Sequence, residues 1–131
     1  MIACCDTSAL AKVLVEERES PAVREFLADT SRQGVEWLVS TMAVTELRRL
    51  AIRLDIEAHH VEAVITPFRV VRLTDGILHL ASRLPHRHLG TLDAIHISTA
   101  LAAGAEVLMT FDLRQADAAR QEGLSVVEPG R

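Results

Sequence analysis

"EVLMTFDLRQADAARQEG", Glu106 to Gly123, decides how this chain is built. An apolar run, Val107-Leu108-Met109, stops at Thr110-Phe111-Asp112, and a segment of helical character follows as far as Gly123. The first seventeen residues, "MIACCDTSALAKVLVEE", repeat the plan. They are apolar through Cys5, then comes Asp6, then a stripe of Leu10, Val13 and Leu14 at i, i+3, i+4 spacing. Short apolar strands that alternate with helices make a parallel sheet covered on both faces. In such sheets ligands sit beyond the carboxyl ends of the strands, where strand order reverses. Two apolar segments that each end in an aspartate thus place a polar group where the chain leaves the core.

The alternation continues between them. Ile2 to Cys5 reads as a buried strand and Thr7 to Glu17 as a helix. Ser20-Pro21 reads as an N-cap followed by proline at the first helical position, opening a helix that ends before Gly34. Trp37 to Val39 is a second strand, and Ser40 or Thr41 caps a helix through "MAVTELRRLAIRLD". A further helix covers Ile56 to Ile65, ended by Pro67. Phe68 to Leu73 is a third strand, rich in β-branched residues. Thr74 or Asp75 caps a helix that Pro85 stops, "HRHLG" is a loop, and Thr91 caps a helix closed by Gly104. Val107 to Phe111, a helix from Asp112 to Gln121, and Ser125 to Val127 complete the series.

The 131 residues suit one domain, residues 1–131, with one core. A 49% hydrophobic and 24% charged composition excludes disorder, and no 18-residue apolar run suggests a membrane span. With no signal-peptide pattern visible either, a cytoplasmic location is expected. Cys4 and Cys5 are neighbours that point to opposite faces of a strand, so they read as small buried hydrophobes rather than a bridge or a zinc site. The net charge of −4 argues against a protein that coats polyanions, but not against an enzyme whose positive charge is local or brought by a metal.

Four acids stand out. Asp6 and Asp112 end strands, Glu46 lies in a helix that is otherwise apolar and basic, and Asp93 lies in the first turn of the Thr91 helix. Three of them have an ordinary explanation: Asp6 and Asp112 as N-caps, Asp93 as a complement to the helix dipole. Their joint pattern, with Thr7-Ser8 beside Asp6 and Thr110 beside Asp112, is harder to explain in that way.

"DTSALAKVL", "AVTELRR" and "LDAIHISTALAAGAEVLMTFD" resemble the PIN-domain ribonucleases, most closely the VapC-type toxins of bacterial toxin–antitoxin pairs, over essentially the whole chain. The resemblance implies an α/β three-layer sandwich around a five-stranded parallel sheet of order 3-2-1-4-5, with Asp6 and Asp112 on adjacent strands at the switch point. It also implies a divalent-metal-dependent endoribonuclease. Asp6, Glu46, Asp93 and Asp112 match the family's acids, both catalytic and metal-holding, and Ser8 and Thr110 match its accessory hydroxyls. Crowded carboxylates repel one another, and a hard divalent ion such as Mg²⁺, or Mn²⁺, relieves that repulsion. An antitoxin protein partner and a homodimer are implied as well. One departure is the segment His88-Leu89-Gly90-Thr91-Leu92, where relatives often carry an arginine before the third acid.

Readings of another kind are a PIN nuclease of RNA maturation and a non-catalytic interaction module on the same fold. A receiver domain lacks support because no lysine follows the last strand, and D-T-S after the first strand is not the D-x-D of an aspartyl phosphatase. For the RNA substrate, Arg114 and Arg49 are the candidate phosphate contacts, Arg114 first because it follows Asp112. Arg48, Arg53 and Arg87 are open to the same role, and a solvated helix face is the plainer reading of each. A single Trp, three Phe and no Tyr offer few stacking platforms, which favours recognition through RNA shape and backbone. His86 and His88 form an H-x-H in the loop, His96 follows Asp93 by three residues, and Asp117 follows Asp112. None of these has an assigned role. Ile52, Ile56, Val61, Val64 and Ile65 exceed the needs of one helix face and suit either an interface or a wider core contact.

Overall fold

The computed structural model describes the whole chain, Met1–Arg131. Five strands, β1 (Ile2–Cys5), β2 (Glu36–Ser40), β3 (Arg69–Val71), β4 (Val107–Met109) and β5 (Ser125–Val127), pair in parallel in the order β3-β2-β1-β4-β5. The order expected from the resemblance is the order observed. Order reverses at β1, whose Ala3 faces Trp37 of β2 on one side and Val107 of β4 on the other. The carboxyl ends of β1 and β4 therefore lie side by side, joined by a hydrogen bond from the Asp6 N–H to the Met109 carbonyl at 3.1 Å.

Period-2 alternation in β1 sorts its side chains onto two cores. Ala3 and Cys5 pack with Trp37, Val39 and Met109 under α1 (Thr7–Leu14), α2 (Ser20–Arg32), α3 (Thr41–Arg53) and α4 (Ala58–Ile65), through Leu10, Val23, Leu47 and Val61. Cys4 faces the other way, with Leu38 and Leu108, and meets Ile97 of α6 (Thr91–Ala102) and Ala118 and Ala119 of α7 (Leu113–Gln121). Helix α5 (Asp75–Arg83) packs on α6. Both cysteines are free and buried, and desolvation pushes the Cys4 thiol up to about 12. They fill space and do no chemistry at neutral pH.

Several boundaries differ from expectation for local reasons. Helix α1 stops at Leu14 rather than Glu17, because Val15 turns to extended backbone. Ser20 is not an N-cap: it is the first residue of α2, and its hydroxyl accepts from the Glu17 N–H and donates to the Val15 carbonyl, bracing the preceding turn. Thr91 does not cap α6 either. Gly90 is the N-cap, with no side chain to contribute, and Thr91 is exposed. Ser40 and Thr74 are the caps of α3 and α5, accepting from Ala43 and Ile77. Strand β4 ends at Met109 rather than Phe111, so Thr110-Phe111 is a connector, and Asp112 is the N-cap of α7 rather than its first residue. Gly104, at φ +76°, supplies the left-handed residue that ends α6.

The surplus apolar residues of α3 and α4 divide. Val61 and Ile65 are buried and Ile56 and Val64 pack against them, which is the wider core contact, while Ile52 stays 63% exposed.

Candidate active site

Asp6 is 2% exposed and ringed by donors. Its Oδ1 accepts the Ala9 N–H at 2.9 Å and the Ser8 hydroxyl at 2.8 Å. Its Oδ2 accepts the Thr110 hydroxyl at 2.6 Å. Those hydroxyls are themselves fixed. Ser8 Oγ accepts the Phe111 N–H and Thr110 Oγ1 accepts the Asp112 N–H, at 2.9 and 3.1 Å. The β1 and β4 ends are thereby stitched together through one carboxylate. Asp6 is an N-cap, as the ordinary reading has it, and its place at the switch point leaves it open to the functional reading as well. Burial pushes its carboxyl above the usual range, outweighing the hydrogen bonds from Thr110, Ala9 and Ser8.

Asp112 has the same double character. Its Oδ1 caps α7 by accepting the Gln115 N–H at 2.9 Å. Gln115 is wholly buried. Its Oε1 lies 3.1 Å from Thr110 Oγ1 as an alternative acceptor to Asp6 for that hydroxyl's one proton, and its Nε2 donates to the carbonyl oxygen of Asp93 at 3.2 Å. Gln115 thus ties the Asp6–Thr110 pair to the first turn of α6, where Asp93 is half-buried.

Glu46 enters from α3. Its Oε1 accepts the Thr7 hydroxyl at 2.7 Å and meets Nε2 of His96 at 2.7 Å. Burial pushes this carboxyl up, but the hydrogen bonds from His96 and Thr7 prevail and hold it below its usual range. Asp93 goes the other way. Burial raises it first, the Asp112 charge raises it next, and the charges of Asp6 and Glu46 add to that against the lowering influence of His96. Asp93 thus lies within electrostatic reach of the other three acids, which come from separate segments of the chain. Sequence reasoning missed Thr7, His96 and Gln115 as members. The i, i+3 spacing of Asp93 and His96 was the single available signal, and it puts both on one side of α6.

No three Asp, Glu, His or Cys side chains stand close enough to hold an ion by themselves. The donors are nonetheless hard oxygens, with Asp93 raised first by burial and then by its acidic neighbours. That set fits a divalent ion of the Mg²⁺ kind, which keeps several waters and needs one or two carboxylates rather than a protein cage.

Arg114 and Arg87 line an open cavity of about 500 Å³ together with His86, His88, Asp117 and Gln121, and none of the four acids is among its lining residues. Both arginines are exposed and neither is in an ion pair. Arg49, one turn beyond Glu46, is exposed as well, whereas Arg48 is engaged by Glu62 at 2.7 Å. His86 is held by Glu122 at 2.7 Å, pinning the loop before α6 to α7. Asp117 is exposed and accepts from Gln121.

The family model of the PIN domain matches residues 3–121. Ribonuclease VapC35 of Mycobacterium tuberculosis is 34% identical over 131 residues, covering 96% of each chain. Among solved structures, Mycobacterium tuberculosis VapC20, described as a sarcin-ricin-loop-cleaving toxin, superposes with a TM-score of 0.76 at 19% identity, covering 97% of this chain and 99% of its own. A toxin–antitoxin complex from Klebsiella pneumoniae contains a chain with a TM-score of 0.70 at 22% identity, with 97% of each covered. These two likenesses carry the fold.

Proposed function

The chain belongs to the PIN-domain family, and on that premise we propose that it is a metal-dependent endoribonuclease and the toxin of a toxin–antitoxin pair. The ribonuclease naming of its 34%-identical relative supports the activity. The observation that carries the site is the meeting of the β1 and β4 carboxyl ends, where Ser8 and Thr110 link the Asp6 carboxylate to the connector that bears Asp112, with burial and then the charges of Asp112, Asp6 and Glu46 raising the Asp93 carboxyl. Such a cluster has no use for a packed core and a clear use for a cation.

In this reading Asp6, Asp93 and Asp112 bind the ion, directly or through its waters, and Glu46 binds it or orients the attacking water. Mg²⁺ or Mn²⁺, when bound, would lower the pKa of a water and stabilise charge on the phosphodiester. Ser8 and Thr110 fix the rotamer of Asp6, which keeps its oxygens aimed as charge develops. Arg114, and Arg49 on the other side of the site, would hold RNA phosphates as bidentate donors. The cavity beside Arg114, with unpaired Arg87 on its rim, gives the backbone a place to run. The fold-mate in a toxin–antitoxin complex supports a protein antitoxin as the natural inhibitor. Self-association, with Ile52 and Leu54 exposed at the end of α3, and a cytoplasmic location complete the proposal. No helix is long and apolar enough to cross a membrane.

The test is brief induction in cells followed by sequencing of RNA ends, comparing wild type with Asp93→Asn. New 5′ ends at defined positions in wild type alone, and Mg²⁺-dependent cleavage by the purified protein that EDTA stops, are expected. Identical RNA ends in both strains would overturn the nuclease reading.

A further inference from the structure

Glu46 is held by groups that the proposed hydrolysis leaves without a task. Nε2 of His96 lies 2.7 Å from Oε1, Thr7 donates to the same oxygen at 2.7 Å, and no hydrogen bond falls on Oε2. An ionised carboxylate only accepts, so the ring proton facing it is on Nε2. On the far side of the ring Nδ1 faces Ser40 Oγ at 3.3 Å. Ser40 Oγ already accepts the Ala43 N–H as the cap of α3, so its own proton is free to turn towards Nδ1. His96 is 3% exposed, inside a stretch of α6 that is buried from Ala94 to Ala100. A polar ring in such a stretch must have its nitrogens satisfied, and here Nδ1 has the helix cap and Nε2 has the carboxylate, with Thr7 Oγ1 also 3.2 Å from Nε2.

The chain Ser40–His96–Glu46 therefore joins the end of β2, the middle of α6 and the second turn of α3. We propose that His96 is a positioning residue of the cleavage site: it clamps Oε1 of Glu46 and leaves Oε2 as the single oxygen presented to the ion or water. Thr7 shares the clamp from the first turn of α1. A glutamate has three rotatable side-chain bonds, and fixing one oxygen from two directions removes most of that freedom before substrate arrives. His96 itself never touches RNA. The inference rests on Glu46 belonging to the hydrolytic site.

Four variants test it: His96→Leu, His96→Gln, Glu46→Ala and the double variant His96→Leu/Glu46→Ala. Losing a group that orients a ligand costs roughly 10–100-fold in metal affinity or activity. His96→Leu is expected to lower kcat by that factor with KM for RNA unchanged, and to weaken Mn²⁺ binding, read by calorimetry or electron paramagnetic resonance, to a similar degree. His96→Gln, whose Nε2–H reaches towards the same oxygen, recovers most of both. In the Glu46→Ala background, His96→Leu leaves Mn²⁺ affinity where it was. Equal losses in both backgrounds mark a packing role and overturn the proposal. So does a His96→Gln variant as impaired as His96→Leu, or an unimpaired His96→Leu. Should His96→Leu fail to fold, His96→Asn replaces it, since its shorter amide stops near the Nδ1 position and must show the same loss. A readout without turnover separates this from the nuclease reading: the ¹⁵N spectrum of His96 at fixed pH shows an Nε2–H that shifts in Glu46→Ala. If wild type cleaves no RNA, the nuclease reading alone falls. An Nε2 signal indifferent to Glu46 overturns the clamp.

Discussion

Asp6→Asn removes one charge and strands no polar group. In the protein Asp6 accepts from Ala9 at 2.9 Å, Ser8 at 2.8 Å and Thr110 at 2.6 Å. Asparagine keeps the first two on Oδ1 and turns the third around. Its Nδ2 donates to Thr110 Oγ1, whose proton swings to Gln115 Oε1, 3.1 Å away. Asp6→Ala instead strands the Ala9 N–H and the Ser8 hydroxyl. The lost cap costs about 1 kcal/mol, and the unpaired hydroxyl costs about 1 kcal/mol more. At roughly 4 °C per kcal/mol for a chain of this size, the alanine variant melts about 8 °C below wild type. The asparagine variant lies close to wild type and gains on it as pH rises. Burial holds the Asp6 carboxyl above its unfolded value, so its contribution to stability is complete below the unfolded pKa, about 3.9. That contribution is lost as pH climbs through the folded value, while asparagine does not titrate. Thermal unfolding in EDTA at a series of pH values from 3.5 to 7.5, with RNA cleavage in Mg²⁺ alongside, reads every part. Cleavage is abolished in both variants. An asparagine variant that melts as low as the alanine one, a difference from wild type flat across pH, or retained cleavage would refute the reasoning.

Four further outcomes are expected. Mg²⁺ or Mn²⁺ raises the melting temperature of wild type, by about 2.7 kcal/mol of stability at a hundred times Kd. Asp112→Asn keeps the α7 cap, relieves Asp93 and melts higher than wild type in EDTA, but loses most of the gain from metal in differential scanning calorimetry. Arg114→Ala weakens RNA binding and lowers the slope of log affinity against log salt by about 0.7 for a single strand, with kcat nearly unchanged; an unaltered slope removes Arg114 from the substrate path. Gln115→Leu removes the side-chain donor to the Asp93 carbonyl inside the core, costing roughly 1–3 kcal/mol by urea unfolding. A neutral result there shows that the bridge between α6 and α7 contributes nothing.

Much of the site was legible because its acids lie where local patterns change. Asp6 and Asp112 stand at the points where apolar runs give way to helical periodicity, and Ser8 and Thr110 are two residues from them in sequence. Thr7, His96 and Gln115 were not legible. The Thr7 and His96 bonds to Glu46 span 39 and 50 positions, and the Gln115 bond to the Asp93 carbonyl spans 22. His96 sits in α6, whose apolar surroundings read as core in any pattern. The errors at Ser20 and Thr91 have one origin. A small hydroxyl residue before a helix fits two geometries, and the direction of the preceding loop selects between them.

The sequence by itself determined the alternation of strand and helix, the parallel sheet, and the acids at strand ends, because side-chain periodicity and the backbone's own hydrogen bonding act over a few residues. Only the tertiary structure decided which groups meet. The pairing of β1 with β4 brought Thr110 to Asp6, and the packing of α3 against α6 brought His96 to Glu46. A hydrogen bond forms only within a few tenths of an ångström of its ideal length, and placement that fine is set by strand register and helix seating, which no short stretch of chain encodes.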